Sequence, residues 1–368
     1  MNTMKNWIRL GILSLIPIIC VICITAIGDS SNLFHPKVYE DLASSILEGN
    51  QTYITSTLNG RSTKKALVEK MPDFVDTIVV GPSLSLCIDE ELAGTDSFYN
   101  LSVEAANYYD ILAFFGLMEV NNKKYNRVIF SADFDFFNEG RTATSLTTVF
   151  SPYYNYMLSL IKNEGKSFDN TEYAKNISKQ NKGNLKHLLS LRYCQDSAKV
   201  LYQFIRYKAG RIGIVTEENK GRYFSYNGDG SFVYQDRLTN IPERVITNMC
   251  ITYEWDVYCQ KNEHISEESE KTFMHLIDYL HQKGIKTDIF VCPLPPTLYN
   301  LFDKNARPLL QESEDFLKEY CTKYGSEKGV RLIGSYSPLE YGLTDADFYD
   351  ARHLRREKLS VFDFTSPY

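Results

Sequence analysis

The sequence predicts an α/β fold: a doubly wound parallel sheet with a helical and hairpin insertion, preceded by one N-terminal transmembrane helix. Three observations lead to it. Short β-branched runs alternate with stretches whose apolar residues recur every three or four positions, the pattern of covered parallel strands and of helices packed on them. Between residues 139 and 244 that alternation gives way to polar, tyrosine-rich segments. Near the N-terminus, Leu10 to Ile27 is apolar except for small or weakly polar residues, close to the ~20 residues that cross a hydrocarbon layer.

Composition narrows the function classes. A chain of 368 residues with 43% hydrophobic residues holds one large domain with an insertion and is not generally disordered. A net charge of -6 argues against nucleic acid as a partner, because phosphate binders carry a basic excess. The 26 tyrosines and 21 phenylalanines suit a carbohydrate-facing surface and an ordinary core equally well. Eight cysteines show no zinc spacing, and most read as small buried hydrophobes. Disulfide pairing is not readable from their positions. No metal or dissociable cofactor is expected, since neither a ligand cluster nor a glycine-rich phosphate loop is present.

Taken in order, the chain opens with Lys5 and Arg9 before the apolar run and Asp29 after it. The positive-inside bias then keeps the N-terminus in the cytoplasm and exports the rest. A cleaved signal peptide is the alternative. Thr25-Ala26-Ile27-Gly28 is a poor cleavage site, which favours an uncleaved anchor over 1–28. Residues 29–74 read as a stalk and lead-in, with helical stretches near 38–47 and 63–70. The α/β domain is expected over 75–368. Its first strand is 76–80, stopped by Gly81-Pro82, and its second is 98–101. Ser102 is the expected cap of a helix whose apolar face is Tyr108, Ile111, Leu112, Phe115 and Met118. A third strand, 127–130, leads into Asp133. The insertion 139–244 holds helices near 143–162 and 190–207 and a hairpin from Tyr223 to Tyr234, turning at Asn227-Gly228-Asp229-Gly230. Ser266 caps the next helix, with Glu267 and Glu268 in its positive first turn and Gly284 at its end. A strand at 285–292, stopped by prolines, a helix at 308–324 and a last strand at 330–333 complete the pattern.

In a doubly wound sheet, ligands bind beyond the carboxyl ends of the strands. Ser83 follows the first strand, Asp133 follows the third, and Asp350 and His353 follow the last by one loop. These are the parts of a serine nucleophile, its base and the carboxylate that orients the base. A serine after Gly-Pro is by itself most often a turn residue, and a lone histidine is most often structural. The combination, with Asp-x-x-His spacing, carries the expectation. Ser85 is the fallback nucleophile, otherwise a helix cap. Asp347 is the fallback for Asp350, otherwise a solvated loop residue. Arg352, Arg355 and Arg356 read as a solvated helix face, with attraction of an anionic polymer as the alternative.

Gly81-Pro82-Ser83 and Asp350-Ala351-Arg352-His353 resemble the nucleophile and C-terminal blocks of the SGNH (GDSL-like) hydrolase superfamily, whose sheet is flavodoxin-like. The chain looks closest to the membrane-anchored branch typified by the D-alanine transfer protein of Gram-positive cell walls. That branch also has an N-terminal anchor, a segment like Phe98-Tyr99-Asn100-Leu101-Ser102-Val103, a strand ending in an aspartate like Val128 to Asp133, and a proline-rich strand end like Val291 to Pro296. The resemblance covers roughly 75–138 and 270–360. Pro82 stands where the family has an acidic residue. Ala105 or Ala106 is nearest to the glycine that gives an oxyanion amide, and Asp133 or Asp135 lies where the family has Gly-x-Asn-Asp. An ionised carboxylate cannot donate to an oxyanion, so the hole rests on backbone amides, including that of Ser83. What the resemblance implies is catalysis by Ser83, Asp350 and His353, with Asp133 and Ala105 at the substrate.

The function expected on these grounds is an extracytoplasmic acyltransferase, single-pass in the cell membrane. It would modify a cell-surface polysaccharide or teichoic acid beside a membrane O-acyltransferase partner. A carbohydrate O-acyl esterase, and a non-catalytic scaffold on a decayed fold of this kind, are the alternatives.

Overall fold

The computed structural model describes residues 2–57, 59–137, 149–253, 264–305 and 307–366. Its N-terminal part holds α1 (Asn2–Gly28), α2 (Lys37–Leu47), β1 (Thr52–Ile54) and α3 (Gly60–Lys70). The first half of the main sheet follows: β2 (Phe74–Val80), α4 (Glu90–Ala93), β3 (Phe98–Asn100), α5 (Tyr108–Val120) and β4 (Lys124–Ser131). Then come α6 (Ser151–Ile161), α7 (Asn170–Asn184), α8 (Leu191–Tyr207), β5 (Ile212–Ile214), β6 (Ser225–Tyr226), β7 (Phe232–Val233), α9 (Asp236–Thr239) and α10 (Glu243–Ile251). The chain closes with α11 (Glu267–Gln282), β8 (Lys286–Val291), α12 (Pro296–Asn305), α13 (Arg307–Lys328) and β9 (Val330–Gly334).

The fold is α/β, with five parallel strands in the order β3-β2-β4-β8-β9. From β2 the chain steps outward to β3, then crosses back and continues through β4, β8 and β9. Right-handed crossing places that single outward connection on one face and the later connections on the other. Phe115 of α5 and Phe273 of α11 pack on Phe130, which shares a face with Ile289. On the opposite face Phe290 meets Phe362 and Phe364 of the C-terminal segment. At β8, therefore, the second face is closed by aromatic side chains of an irregular segment.

That second face also carries charge. Asp288 is fully buried between Arg127 of β4 and Arg331 of β9, with Nε–Oδ distances of 2.8 and 2.6 Å. Arg127 also donates to Ala93 O at 3.0 Å, and Arg331 to Phe364 O at 3.1 Å. One carboxylate thus joins three strands, and its two arginines tie α4 and the tail to the sheet.

Residues 29–74, expected as a stalk, are built into the body. Leu42, Ala43 and Ile46 of α2 and Leu67 and Val68 of α3 are fully buried. β1 pairs antiparallel with β5 and β6, giving a second, four-stranded sheet in the order β5-β1-β6-β7. The insertion is thereby hydrogen-bonded to the lead-in. α6 packs closely on α5: a Cβ at Gly116 would lie 2.1 Å from Tyr153 O. The first part of the helix expected at 143–162 lies outside the described residues; α8 falls at 191–207 as the pattern indicated. Ser102 does not cap α5. Asn107 does, in a capping box with Asp110, because residues 101–106 first continue along β2. Among the described residues, no helix is long and apolar enough to cross a membrane. The span expected at 10–27 includes side chains at 10–12 that lie outside the description.

Asp288→Ala is expected to destabilise the fold by up to about 3 kcal/mol, the cost of leaving two partly buried arginines without their shared carboxylate. Chemical denaturation measures it, and an unchanged midpoint contradicts the assignment.

Candidate active site

The position of Ser83 is set by close strand packing. Val79 and Val80 bring β2 to its end in the core. At Gly81 a Cβ would lie 2.4 Å from Ser131 Cβ and 2.7 Å from Ser85 Oγ, so only glycine lets the ends of β2 and β4 approach this closely. Pro82 is extended, and Ser83–Ser85 forms one 3₁₀ turn. The leading amides of such a turn, those of Ser83 and Leu84, have no acceptor within it. Ser83 is half-buried, at the carboxyl edge of the sheet where the direction of strand crossing reverses.

Asp350 and His353 sit on a tight loop closed by Tyr349 N donating to His353 O at 2.7 Å and by a bridge between Phe348 and Leu354. The Asp350 carboxylate accepts the amides of Arg352 (2.8 Å) and His353 (2.9 Å) and lies 2.8 Å from His353 Nδ1. The three-residue spacing thus lets one side chain both shape the turn and hold the ring. His353 Nε2 is 2.8 Å from Ser83 Oγ. Burial pushes the Asp350 carboxyl up, but the His353 ring and the two amides outweigh it and hold it at about 2. Ser83, His353 and Asp350 form one hydrogen-bonded chain from residues 270 positions apart.

The other expected site residues have distinct roles. Asp133 is 4% exposed; it accepts Phe134 N at 2.8 Å and is ion-paired with Arg352. Its carboxylate is engaged within the protein, in place of the expected substrate contact. Arg352 is itself buried, with its guanidinium 5.2 Å from the Phe134 ring centre. Arg355 donates to Phe348 O and Thr239 O, and Arg356 pairs with Asp89 and Glu91. The three arginines are tethers between segments, not a solvated helix face. Beside β2, Leu101 N donates to Val79 O and Val103 N to Gly81 O. Ala105 follows two residues later, exposed, with φ +48°. A non-glycine residue in that region carries strain of the kind found at functional sites.

The fallback residues are occupied elsewhere. Ser85 is fully buried; its Oγ donates to Pro82 O and lies 2.8 Å from Ser102 Oγ. Asp347 caps Thr344 and pairs with Lys358. The Asp135 side chain lies outside the described residues.

Three supporting residues gave little sign of their role in the sequence. Asn100 is fully buried, and its amide donates to Ser85 O (2.7 Å), Leu86 O (3.2 Å) and Ile88 O (2.8 Å), fixing the loop that carries Ser83. An asparagine inside a strand-like run was the available signal. Lys64, also fully buried, donates to Asn100 O and Gly230 O at 2.6 and 2.5 Å. Burial pushes its amine down to about 7, against the pull of Glu104 and Asp229. Tyr234, just past β7, stacks on Tyr349 at 4.3 Å and approaches the His353 ring at 6.0 Å. The insertion thus packs against the loop that carries Asp350 and His353.

No protein-family model matches the chain, and no curated protein does. Among the described residues no group of acidic, histidine or cysteine side chains is placed to hold a metal ion. What the geometry can do is generate a serine alkoxide equivalent: the ring can take the Ser83 proton and the carboxylate can stabilise the resulting imidazolium.

Two outcomes are expected. Asp350 has its carboxyl depressed in the folded state from 3.8 to about 2, so its contribution to stability is complete above pH ~4 and is lost as pH falls toward ~2. The melting temperature of the parent protein minus that of Asp350→Asn should shrink across that window; a constant difference counts against it. Asn100→Ala leaves three carbonyls without their donor and should cost about 1–3 kcal/mol in unfolding experiments.

Proposed function

We propose that this protein is an SGNH-type serine acyltransferase, tethered to the cell membrane through α1 and acting outside the cytoplasm on a cell-surface polysaccharide or teichoic acid. The observation that carries the proposal is the Ser83 Oγ–His353 Nε2 distance of 2.8 Å in line with the His353–Asp350 pair. The strand order, with its reversal beside β2, supports a doubly wound sheet of flavodoxin-like topology. Ser83 lies where such sheets bind ligands.

In the proposed reaction His353 Nε2 removes the Ser83 proton as Oγ attacks the carbonyl carbon of an acyl donor. The tetrahedral oxyanion is met by backbone amides, that of Ser83 first. Collapse breaks the bond to the leaving group, which takes the proton from His353, and leaves an ester on Ser83. An acceptor sugar or polyol hydroxyl then gives its proton to His353 and attacks that ester. Ser83 leaves with the proton returned, and the acyl group is on the polymer. A membrane O-acyltransferase is the proposed source of the acyl donor. No metal or cofactor enters the scheme. Water in place of the sugar makes the same site a carbohydrate O-acyl esterase.

The test is direct. A fluorophosphonate probe should label the full chain at Ser83, with Ser83→Ala abolishing the label and His353→Ala slowing it by on the order of 10⁴-fold. Labelling of Ser83→Ala equal to that of the parent chain, or no labelling of the parent chain, overturns the proposal. Acyl release from an acylated glycopolymer without an added hydroxyl acceptor selects the esterase.

A further inference from the structure

The insertion carries a surface that the acyl-transfer chemistry does not use. α8 packs against the C-terminal end of α1: a Cβ at Gly28 would lie 2.3 Å from Ser197 O, and Ser30 N donates to Ser197 Oγ at 3.2 Å. Tyr193 Oη donates to Asp29 at 2.6 Å, and Arg211 Nη1 to Gly28 O at 3.0 Å, where a cation suits the negative end of a helix. These contacts fix α8 to α1 by one side and leave the other outward.

The outward side carries an apolar row, with the polar Gln195 exposed at its edge. Leu191, Ala198 and Ile205 recur every seven residues, with Tyr202 between the last two, and all four are exposed. Ile205 is 81% and Leu191 70% exposed. Leu185 and Leu189 of the preceding 3₁₀ turn extend the exposed apolar surface. Beside this row runs a second with the same spacing, Arg192, Lys199 and Arg206, also exposed. From 185 to 211 there are six lysines and arginines against one acidic residue, Asp196, in a chain of net charge -6.

We propose that this face of α8 lies in the surface of an anionic lipid bilayer. An apolar stripe edged by regularly spaced cations is the chemistry of a helix at the headgroup boundary, its apolar side chains below and its long cationic ones reaching back to phosphate. Ile16, Ile19 and Ile27 of α1 are exposed apolar side chains as well. A second copy of the chain fits poorly, because a two-fold interface would set one cationic row beside another. The inference stands on the surface of α8 alone, so its failure leaves the acyl-transfer proposal untouched, and the reverse.

The test uses the full chain with Trp7 and Trp255 replaced by Phe and Ile205→Trp introduced, mixed with vesicles of brominated phosphatidylcholine with or without phosphatidylglycerol. Emission from position 205 should shift to the blue and be quenched about twofold in the anionic vesicles. The response should weaken several-fold when Arg192, Lys199 and Arg206 are changed to Glu. Leu339→Trp in the same background, exposed but far along the chain from α8, should be unaffected. No quenching at 205, the outcome if a protein partner covers this face, overturns the proposal. So does quenching that is the same with and without phosphatidylglycerol.

Discussion

Arg352 and Asp133 are 219 residues apart in the chain and meet as a buried ion pair at the carboxyl edge of the sheet. Removing two charges from water costs several kcal/mol for each, recovered only where geometry and hydrogen bonding are good. Asp133 is held by the amide of Phe134, and Arg352 is packed over the Phe134 ring. Few placements of the C-terminal loop satisfy both groups. The one adopted sets His353, the next residue, against Ser83. The alignment of the Ser83–His353–Asp350 chain therefore depends on a pair that takes no part in it.

A second set of contacts holds the site from the other side. Asn100 gathers the carbonyls of the loop that carries Ser83, Lys64 joins Asn100 to the turn at Gly230, and the strand leaving that turn brings Tyr234 onto Tyr349. Lead-in, sheet end and insertion are bound into one wall. The pairing of β1 with β5 and β6 explains why residues before the sheet belong to the same body as residues after it. Polar groups buried this deeply specify one arrangement, since each leaves an unsatisfied partner in any other.

The proposed chemistry is consistent with this construction. A nucleophile on a short rigid turn, with its base on a loop locked by a buried pair, has little freedom to lose on reaching the transition state. Asp133 is engaged by Arg352, so the proposed oxyanion site draws on backbone amides. The left-handed Ala105 is the strained residue nearest along the chain to the β2 end. The outward face of α8 lies on the insertion, so the proposed membrane-facing surface and the wall carrying Tyr234 belong to one stretch of chain.

What the sequence by itself determined was local. The β-branched runs that became β2, β4, β8 and β9, the Ser266 cap of α11, the proline stop after β8 and the Asp-x-x-His spacing were all legible, because each depends on residues within a few positions of one another. The stalk, the Ser102 cap and the solvated arginines were misplaced for the opposite reason. Strand β1 finds its partners at residues 212–226, Ser102 bonds to Ser85, and Arg352 pairs with Asp133. Any arginine has many carboxylates to choose from, and only the folded chain, by excluding water from one of them, decides which it meets.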